Sequence, residues 1–200
     1  SALAALHDVG KISPGFQAKV PTLASDLAKE GLTFPPGSET VHSRVTMEFL
    51  VRRFETLGDA DAADDVLTYA QATACHHGDY LAFPDMYDML PDSDTWEEER
   101  VQHLHAIFDV WELSRDTLPP LRTAIPAQWT VALAGLISVA DWVGSSLVFA
   151  PVEATAKEYA CERRPVIAGH IAQTRLEYSG SSVTTTEFAE LFGDDSVATQ

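Results

Sequence analysis

The sequence has little of three things, and each shortage excludes a class of protein. Cys75 and Cys161 are the two cysteines and lie far apart, which argues against a disulfide framework and favours the reducing cytoplasm. No apolar run is long enough to span a bilayer and no signal peptide is visible, so we expect no membrane partner. Basic residues are scarce: 13 Lys+Arg against 30 Asp+Glu give a net charge of −17. That balance argues against tight binding of DNA or RNA through the overall field, so any polyanion must be delivered by a partner or held locally by metal ions.

Apolar residues, in contrast, are plentiful. They make up 46% of the 200 residues, enough for one domain with a real core. Neither strand-type alternation nor an internal repeat is visible, and apolar residues recur at helical spacing, which predicts an all-α fold. We expect this domain to cover residues 1–178. Residues 179–200, rich in Ser, Thr, Gly and Asp, read as a linker.

The spacing of apolar residues and the positions of helix-breaking residues predict the individual helices. They are expected at about 22–30, from Ser38 or Thr40 to about 54, 61–77, 95–115, 126–147 and 151–178, with an exposed acidic loop over 79–94. Residues 129–143 (WTVALAGLISVADWV) are apolar nearly all round, which predicts a helix buried on every side.

Six polar side chains lie at helix ends or on apolar helix faces. They are His7, Asp8, His42, His76, His77 and Asp141. A lone carboxylate at Asp141, inside an apolar helix, needs a cationic partner or a metal. One shared metal site would satisfy all six groups together. The alternative is that these residues lie at the surface or are unpaired polar groups. Four imidazoles and two carboxylates exceed what one tetrahedral ion needs, so we expect two ions that share Asp8. Imidazole favours Mn, Fe, Co, Ni or Zn over Mg or Ca.

The order of these residues resembles the HD superfamily of metal-dependent phosphohydrolases. Four motifs, LHDVGKISPGFQ, HSRVTMEFL, CHHGDY and VADWVGSS, are similar to the HD nuclease domain of the CRISPR type I helicase–nuclease. The resemblance covers most of residues 1–150 and implies an HD-domain helical bundle around a two-metal site. Residues 187–193 (EFAELFG) look like the approach to that family's helicase domain, so we expect residues 179–200 to be a linker toward a helicase domain missing from this segment.

The resemblance also implies roles for the ligands. Asp8 would bridge two ions, His42, His76 and His77 would complete one site, and His7 with Asp141 would hold the other. The family supplies a further histidine from upstream that has no counterpart here, so we expect a truncated N-terminus. The ions implied are two divalent transition metals, Mn, Fe, Co or Ni rather than Mg.

Two more residues have predicted roles in catalysis. Lys11, beyond the His-Asp pair, is expected to pair with a phosphate oxygen and favour the transition state. Ser145 is expected to hydrogen-bond the DNA backbone or a ligand carboxylate. A solvated lysine and a serine that bonds its own helix are the simpler alternatives.

The sequence therefore predicts a metal-dependent nuclease that cuts single-stranded DNA in CRISPR interference, with endonuclease and exonuclease activity both open. Its expected partners are a helicase domain of the same polypeptide or a separate subunit, and the guide-RNA surveillance complex (Cascade). Two alternatives stay open: an HD phosphohydrolase acting on nucleotides or cyclic dinucleotides, and a non-catalytic HD docking module.

Overall fold

A computed structural model describes residues 2–57, 63–78, 94–113, 126–147 and 154–174 of the chain. Within these ranges all regular elements are helical and no strand occurs, which confirms the all-α prediction. None of the helices described there is long and apolar enough to cross a membrane.

The described helices begin and end close to the predicted positions. In chain order they are α1 (Ala2–Ala5), α2 (Pro14–Gln17), α3 (Pro21–Lys29), α4 (His42–Leu57), α5 (Ala63–Ala74), α6 (Asp94–Trp111), α7 (Ala127–Ser145) and α8 (Ala156–Thr174). Two 3₁₀ turns lie among them, a first turn Val9–Lys11 and a second turn Cys75–His77. The second turn replaces the last turn of the predicted helix over 61–77. It ends at Gly78, whose φ of 87° lies in the left-handed region that glycine tolerates best.

Helix α4 is the centre of the core. Its buried residues Met47, Phe49 and Leu50 pack in one cluster with Leu6 at the end of α1 and Leu104 of α6. Along its length α4 packs against α5 and the first 3₁₀ turn, and α5 packs in turn against α7. The His-Asp pair directly before the first turn and the His-His pair in the second turn are therefore attached directly to the packed helices.

Helix α6 anchors the segment that follows the first 3₁₀ turn. Arg100 is almost fully buried and donates through Nη1 to the Ile12 carbonyl at 2.9 Å. Trp96, also buried, donates through Nε1 to the Thr33 carbonyl at 2.6 Å. Both ends of the segment with α2 and α3 are thus held to one helix by hydrogen bonds to their backbone carbonyls.

The prediction that α7 is buried on every side is wrong. Trp129, Leu136 and Trp142 are 64%, 63% and 70% exposed, while Ala134 and Ile137 are buried on the opposite face. An apolar composition all round shows that a helix can be buried, but it does not show how many neighbours pack against it. One face of α7 packs on α5, and the other is an exposed apolar surface.

The chain divides into two compact units, Ser1–Arg164 and Pro165–Gln200. Their boundary falls inside α8, at Pro165, where proline lacks the N–H needed for an intrahelical hydrogen bond. The predicted boundary near 178 and the linker 179–200 lie outside the described residues, as does most of the predicted acidic loop over 79–94. All three stay predictions.

The close contact of the first 3₁₀ turn with α4 gives a test of this fold. A Cβ on Gly10 would lie 1.9 Å from the His42 carbonyl oxygen and 2.6 Å from the Thr46 nitrogen, so Gly10→Ala must push backbone apart. We expect this change to lower the free energy of unfolding by about 3 kcal/mol or more, measured by denaturant titration.

Gly135→Ala is the matched control, since no described atom lies within 4 Å of a Cβ placed there. Because Gly135 lies inside α7, alanine should stabilise the protein by up to about 1 kcal/mol. A Gly10→Ala protein as stable as the unsubstituted chain would contradict the contact.

Candidate metal centre

The structure brings together the six side chains that the sequence analysis proposed as ligands. They come from four places in the unit Ser1–Arg164: His7 and Asp8 before the first 3₁₀ turn, His42 at the start of α4, His76 and His77 in the second turn, and Asp141 near the end of α7. Segments separated by as many as 134 positions thus meet at one point, where α1, α4, α5 and α7 converge.

Asp8 lies in the middle of this cluster. Its Oδ2 is 3.2 Å from His7 Nε2, and its Oδ1 is 3.3 Å from His42 Nε2 and 3.9 Å from His76 Nε2. The two carboxylate oxygens therefore face different imidazoles. This is the arrangement that allows one carboxylate to bridge two cations.

Asp141 approaches the cluster from α7. Its Oδ1 lies 3.4 Å from His7 Nε2, and the Ser145 hydroxyl donates to the same oxygen at 3.0 Å. Of the two contacts predicted for Ser145, the structure therefore contains the one to a carboxylate, that of the ligand candidate Asp141. A carboxylate with a fixed donor on one lone pair keeps its orientation toward the imidazole.

Backbone carbonyls set the orientation of two imidazole rings. His7 Nδ1 lies 2.6 Å from the Ala4 carbonyl and His76 Nδ1 lies 3.0 Å from the Thr73 carbonyl. Because a carbonyl oxygen accepts only, each Nδ1 carries the proton, and in the neutral ring Nε2 carries the lone pair. Both Nε2 atoms point into the cluster as metal ligands do.

The donor atoms of the cluster fit a divalent cation. His7 Nε2, His76 Nε2 and Asp8 Oδ1 are buried and have no hydrogen-bond partner among the described residues. Two groups of donors, His42–His76–His77 and His7–Asp8–His76, each have ligand atoms within 4.8 Å of one another. Buried acceptor atoms that face one another are costly unless a proton or a metal ion lies between them, and one divalent cation can serve several of them at once. A set rich in imidazole favours transition metals.

Comparison with known proteins agrees with this geometry. Residues 1–149 match the family model described as "Cas3, HD domain", a range that includes all six ligand candidates. The chain belongs to the Cas3 HD-domain family. No curated protein and no solved structure matches the chain. Family membership confirms the predicted HD helical bundle and implies a metal-dependent nuclease of type I CRISPR systems.

Within this Cas3 HD domain, proximity and burial shift the pKa values of three ligand candidates. Burial opposes ionisation of Asp8, but the adjacent His42, His7 and Lys11 outweigh it and hold its pKa well below the usual range. Burial would lower the pKa of His7, yet the neighbouring Asp8 carboxylate raises it above the ordinary value. Burial is the largest effect on His76 and lowers its pKa to about 4, so its ring is neutral near pH 7.

Lys11 lies on the solvent side of the centre. Its ammonium is 2.5 Å from Asp8 Oδ2, and its side chain is 41% exposed. The structure therefore shows Lys11 paired with the Asp8 carboxylate, and not as the fully solvated lysine of the simpler alternative. A rotation of the Lys11 side chain would bring its ammonium to an anion that approaches Asp8.

Two residues of the centre were missed by the sequence analysis. Ser138 of α7 donates its hydroxyl to the His76 carbonyl and so joins α7 to the second 3₁₀ turn. Thr46 of α4 hydrogen-bonds the backbone on both sides of Asp8, at His7 and at Gly10. Their spacing held a usable signal, since Ser138 is three residues before Asp141 and Thr46 is four after His42, each on the ligand's own helix face.

The pKa shifts predict how metal binding depends on pH. A raised pKa means that His7 keeps its proton to a higher pH than free imidazole, and a metal ion must displace that proton. We therefore expect Mn²⁺ affinity to fall as pH drops from about 8 to about 6. His76, with a pKa of about 4, does not add to this loss.

Calorimetric titration with Mn²⁺ at several pH values measures this dependence. His7→Gln should bind more weakly and release about one proton fewer on binding, which makes its pH dependence shallower. His105→Gln, at an exposed position of α6, is the control and should reproduce the unsubstituted curve. An affinity that does not change over this pH range would rule out His7 as the titrating ligand.

Proposed function

We propose that this Cas3 HD domain hydrolyses phosphodiester bonds of single-stranded DNA with two divalent transition-metal ions, Mn, Fe, Co or Ni in preference to Mg. The observation that carries the proposal is the position of Asp8, whose two oxygens face imidazoles on different sides. A nuclease that holds a phosphate between two ions needs a shared ligand of this kind.

In the proposed arrangement Asp8 is the bridging ligand. His42, His76 and His77 hold one ion, and His7 with Asp141 holds the other. Support comes from the spacing of the donors: His42 Nε2 and His77 Nε2 are 3.1 Å apart, and His7 Nε2 is 3.4 Å from Asp141 Oδ1. His76 is within ligand range of both groups, which puts it beside the shared carboxylate.

Bound ions would supply an activated water nucleophile and neutralise charge on the scissile phosphate. The chain's own residues would do the rest. Asp8 and Asp141 would orient the centre, with Ser145 holding Asp141 in place. Lys11 would leave Asp8 for a phosphate oxygen of the substrate and stabilise the charge that develops in the transition state.

Other macromolecules are needed to bring DNA to this centre, because a net charge of −17 repels it. We propose a helicase, as a domain of the same polypeptide or as a separate subunit, which delivers the strand opened by the guide-RNA surveillance complex in the cytoplasm. The exposed apolar face of α7, with Trp129, Leu136 and Trp142, supports contact with a protein domain.

Substitution of the bridging carboxylate tests the proposal. Asp8→Ala should lower cleavage of a labelled single-stranded oligonucleotide with Mn²⁺ by about 100-fold or more, because the shared ligand is lost. Asp26→Ala, which removes an exposed carboxylate of α3 that pairs with Lys29, is the matched control and should cleave normally.

The same assay separates the alternatives. Turnover of free nucleotides or cyclic dinucleotides, with single-stranded DNA left intact, would establish the phosphohydrolase alternative. A protein that purifies without transition metal and gains no stability from Mn²⁺ would be a docking module. Equal activity of Asp8→Ala and the unsubstituted protein would end the nuclease proposal.

The role of Lys11 is tested by Lys11→Met. Removing the ammonium should lower kcat on single-stranded DNA by on the order of 100-fold while Mn²⁺ stoichiometry stays the same. Lys29→Met is the matched control, since Lys29 forms the same kind of pair with the aspartate three residues earlier, Asp26, at 2.6 Å. Loss of bound metal in Lys11→Met would instead show that Lys11 supports the ligands and not the phosphate.

A further inference from the structure

We propose that Thr46 is a positioning residue of the metal centre: its hydroxyl takes over the capping of the first 3₁₀ turn, and so frees the Asp8 carboxylate to act as a ligand. This inference rests on the proposed two-metal function. It concerns a buried hydroxyl that contacts neither substrate nor metal.

The contact itself is a double hydrogen bond. Thr46 is fully buried on α4, and its Oγ1 donates to the His7 carbonyl at 3.0 Å and accepts from the Gly10 N–H at 3.0 Å. The two backbone groups lie on either side of Asp8 in the chain. One hydroxyl therefore fixes the backbone before and after the proposed bridging ligand.

The position of Asp8 in the turn explains why such a bond matters. Asp8 is the N-cap of the 3₁₀ turn Val9–Lys11, and an aspartate at an N-cap normally accepts a hydrogen bond from one of the first free N–H groups. Among the described residues Asp8 makes no such cap bond, and the Gly10 N–H that it would be expected to accept is bonded to Thr46. The Asp8 oxygens face His7 and His42 instead.

Thr46 also fixes the turn to the helix that carries another ligand. It lies one helical turn after His42, and the absence of a side chain on Gly10 lets the turn backbone lie directly against α4. The distance from Asp8 Oδ1 to His42 Nε2, 3.3 Å, therefore depends on where Thr46 holds the turn.

Thr46→Val tests this role, because it keeps the shape of the side chain and removes the hydroxyl. The Gly10 N–H then lacks its acceptor, and the Asp8 carboxylate is drawn back to cap it. We expect Mn²⁺ binding to the full chain, measured by calorimetric titration without nucleic acid, to weaken by about tenfold or more. Thr46→Ser keeps the hydroxyl and should bind within about threefold of the unsubstituted protein.

Thr130→Val is the matched control. Thr130 is also a buried threonine on a helix, and its hydroxyl donates to the Pro126 carbonyl, away from the ligands. This variant should keep its Mn²⁺ affinity even if the metal-free protein loses stability, which separates positioning from general destabilisation.

Each result has a defined reading. If the unsubstituted protein binds no Mn²⁺, the two-metal function fails. If it binds and Thr46→Val binds equally well, the positioning role alone is overturned. If Thr46→Val does not fold, amide hydrogen exchange of Gly10 in the metal-free unsubstituted protein decides: slow exchange, as in the core of α4, is expected, and rapid exchange overturns the role.

Discussion

The geometry of the candidate metal centre depends on the close approach of the Asp8 carboxylate to the imidazole nitrogens around it. Asp8 Oδ1, His7 Nε2 and His76 Nε2 are buried, and none has a hydrogen-bond partner among the described residues. Each unpaired buried group of this kind costs about 1–3 kcal/mol, so gathering several of them opposes folding unless a cation is bound. Metal binding and stability of the helical core are therefore coupled in this domain.

Helix ends provide the rigidity that such a centre requires. His7 and His76 each bond through Nδ1 to the carbonyl three residues earlier, and these carbonyls belong to the second-last residues of α1 and α5. The last carbonyls of a helix have no intrahelical partner. Both histidines use such a carbonyl to fix the ring, so satisfying the helix end and orienting the ligand are one interaction.

Sequence patterns were sufficient to select the six ligand candidates that the fold brings together, but not the residues that support them. Apolar spacing placed His42 on the inner face of its helix, and the cost of burying a lone carboxylate identified Asp141. Spacing places Thr46 and Ser138 on the same helix faces as His42 and Asp141, but their bonds join segments far apart in the chain. Which distant carbonyl each hydroxyl meets depends on tertiary packing, which spacing does not encode.

The apolar residues on the outer face of α7, which the sequence predicted to be buried, also have a physical consequence. A helix that packs on one side needs an apolar stripe on that side only. Polar residues on its outer face would not lower stability if that face were always in contact with water. Trp129, Leu136 and Trp142 lie on that outer face. Two features of this domain favour contact with another protein: it is acidic although its centre suits a polyanion, and α7 has an exposed apolar face. Its net charge of −17 repels a polyanion, and exposed aromatic side chains of this kind are typical of surfaces that bind other proteins.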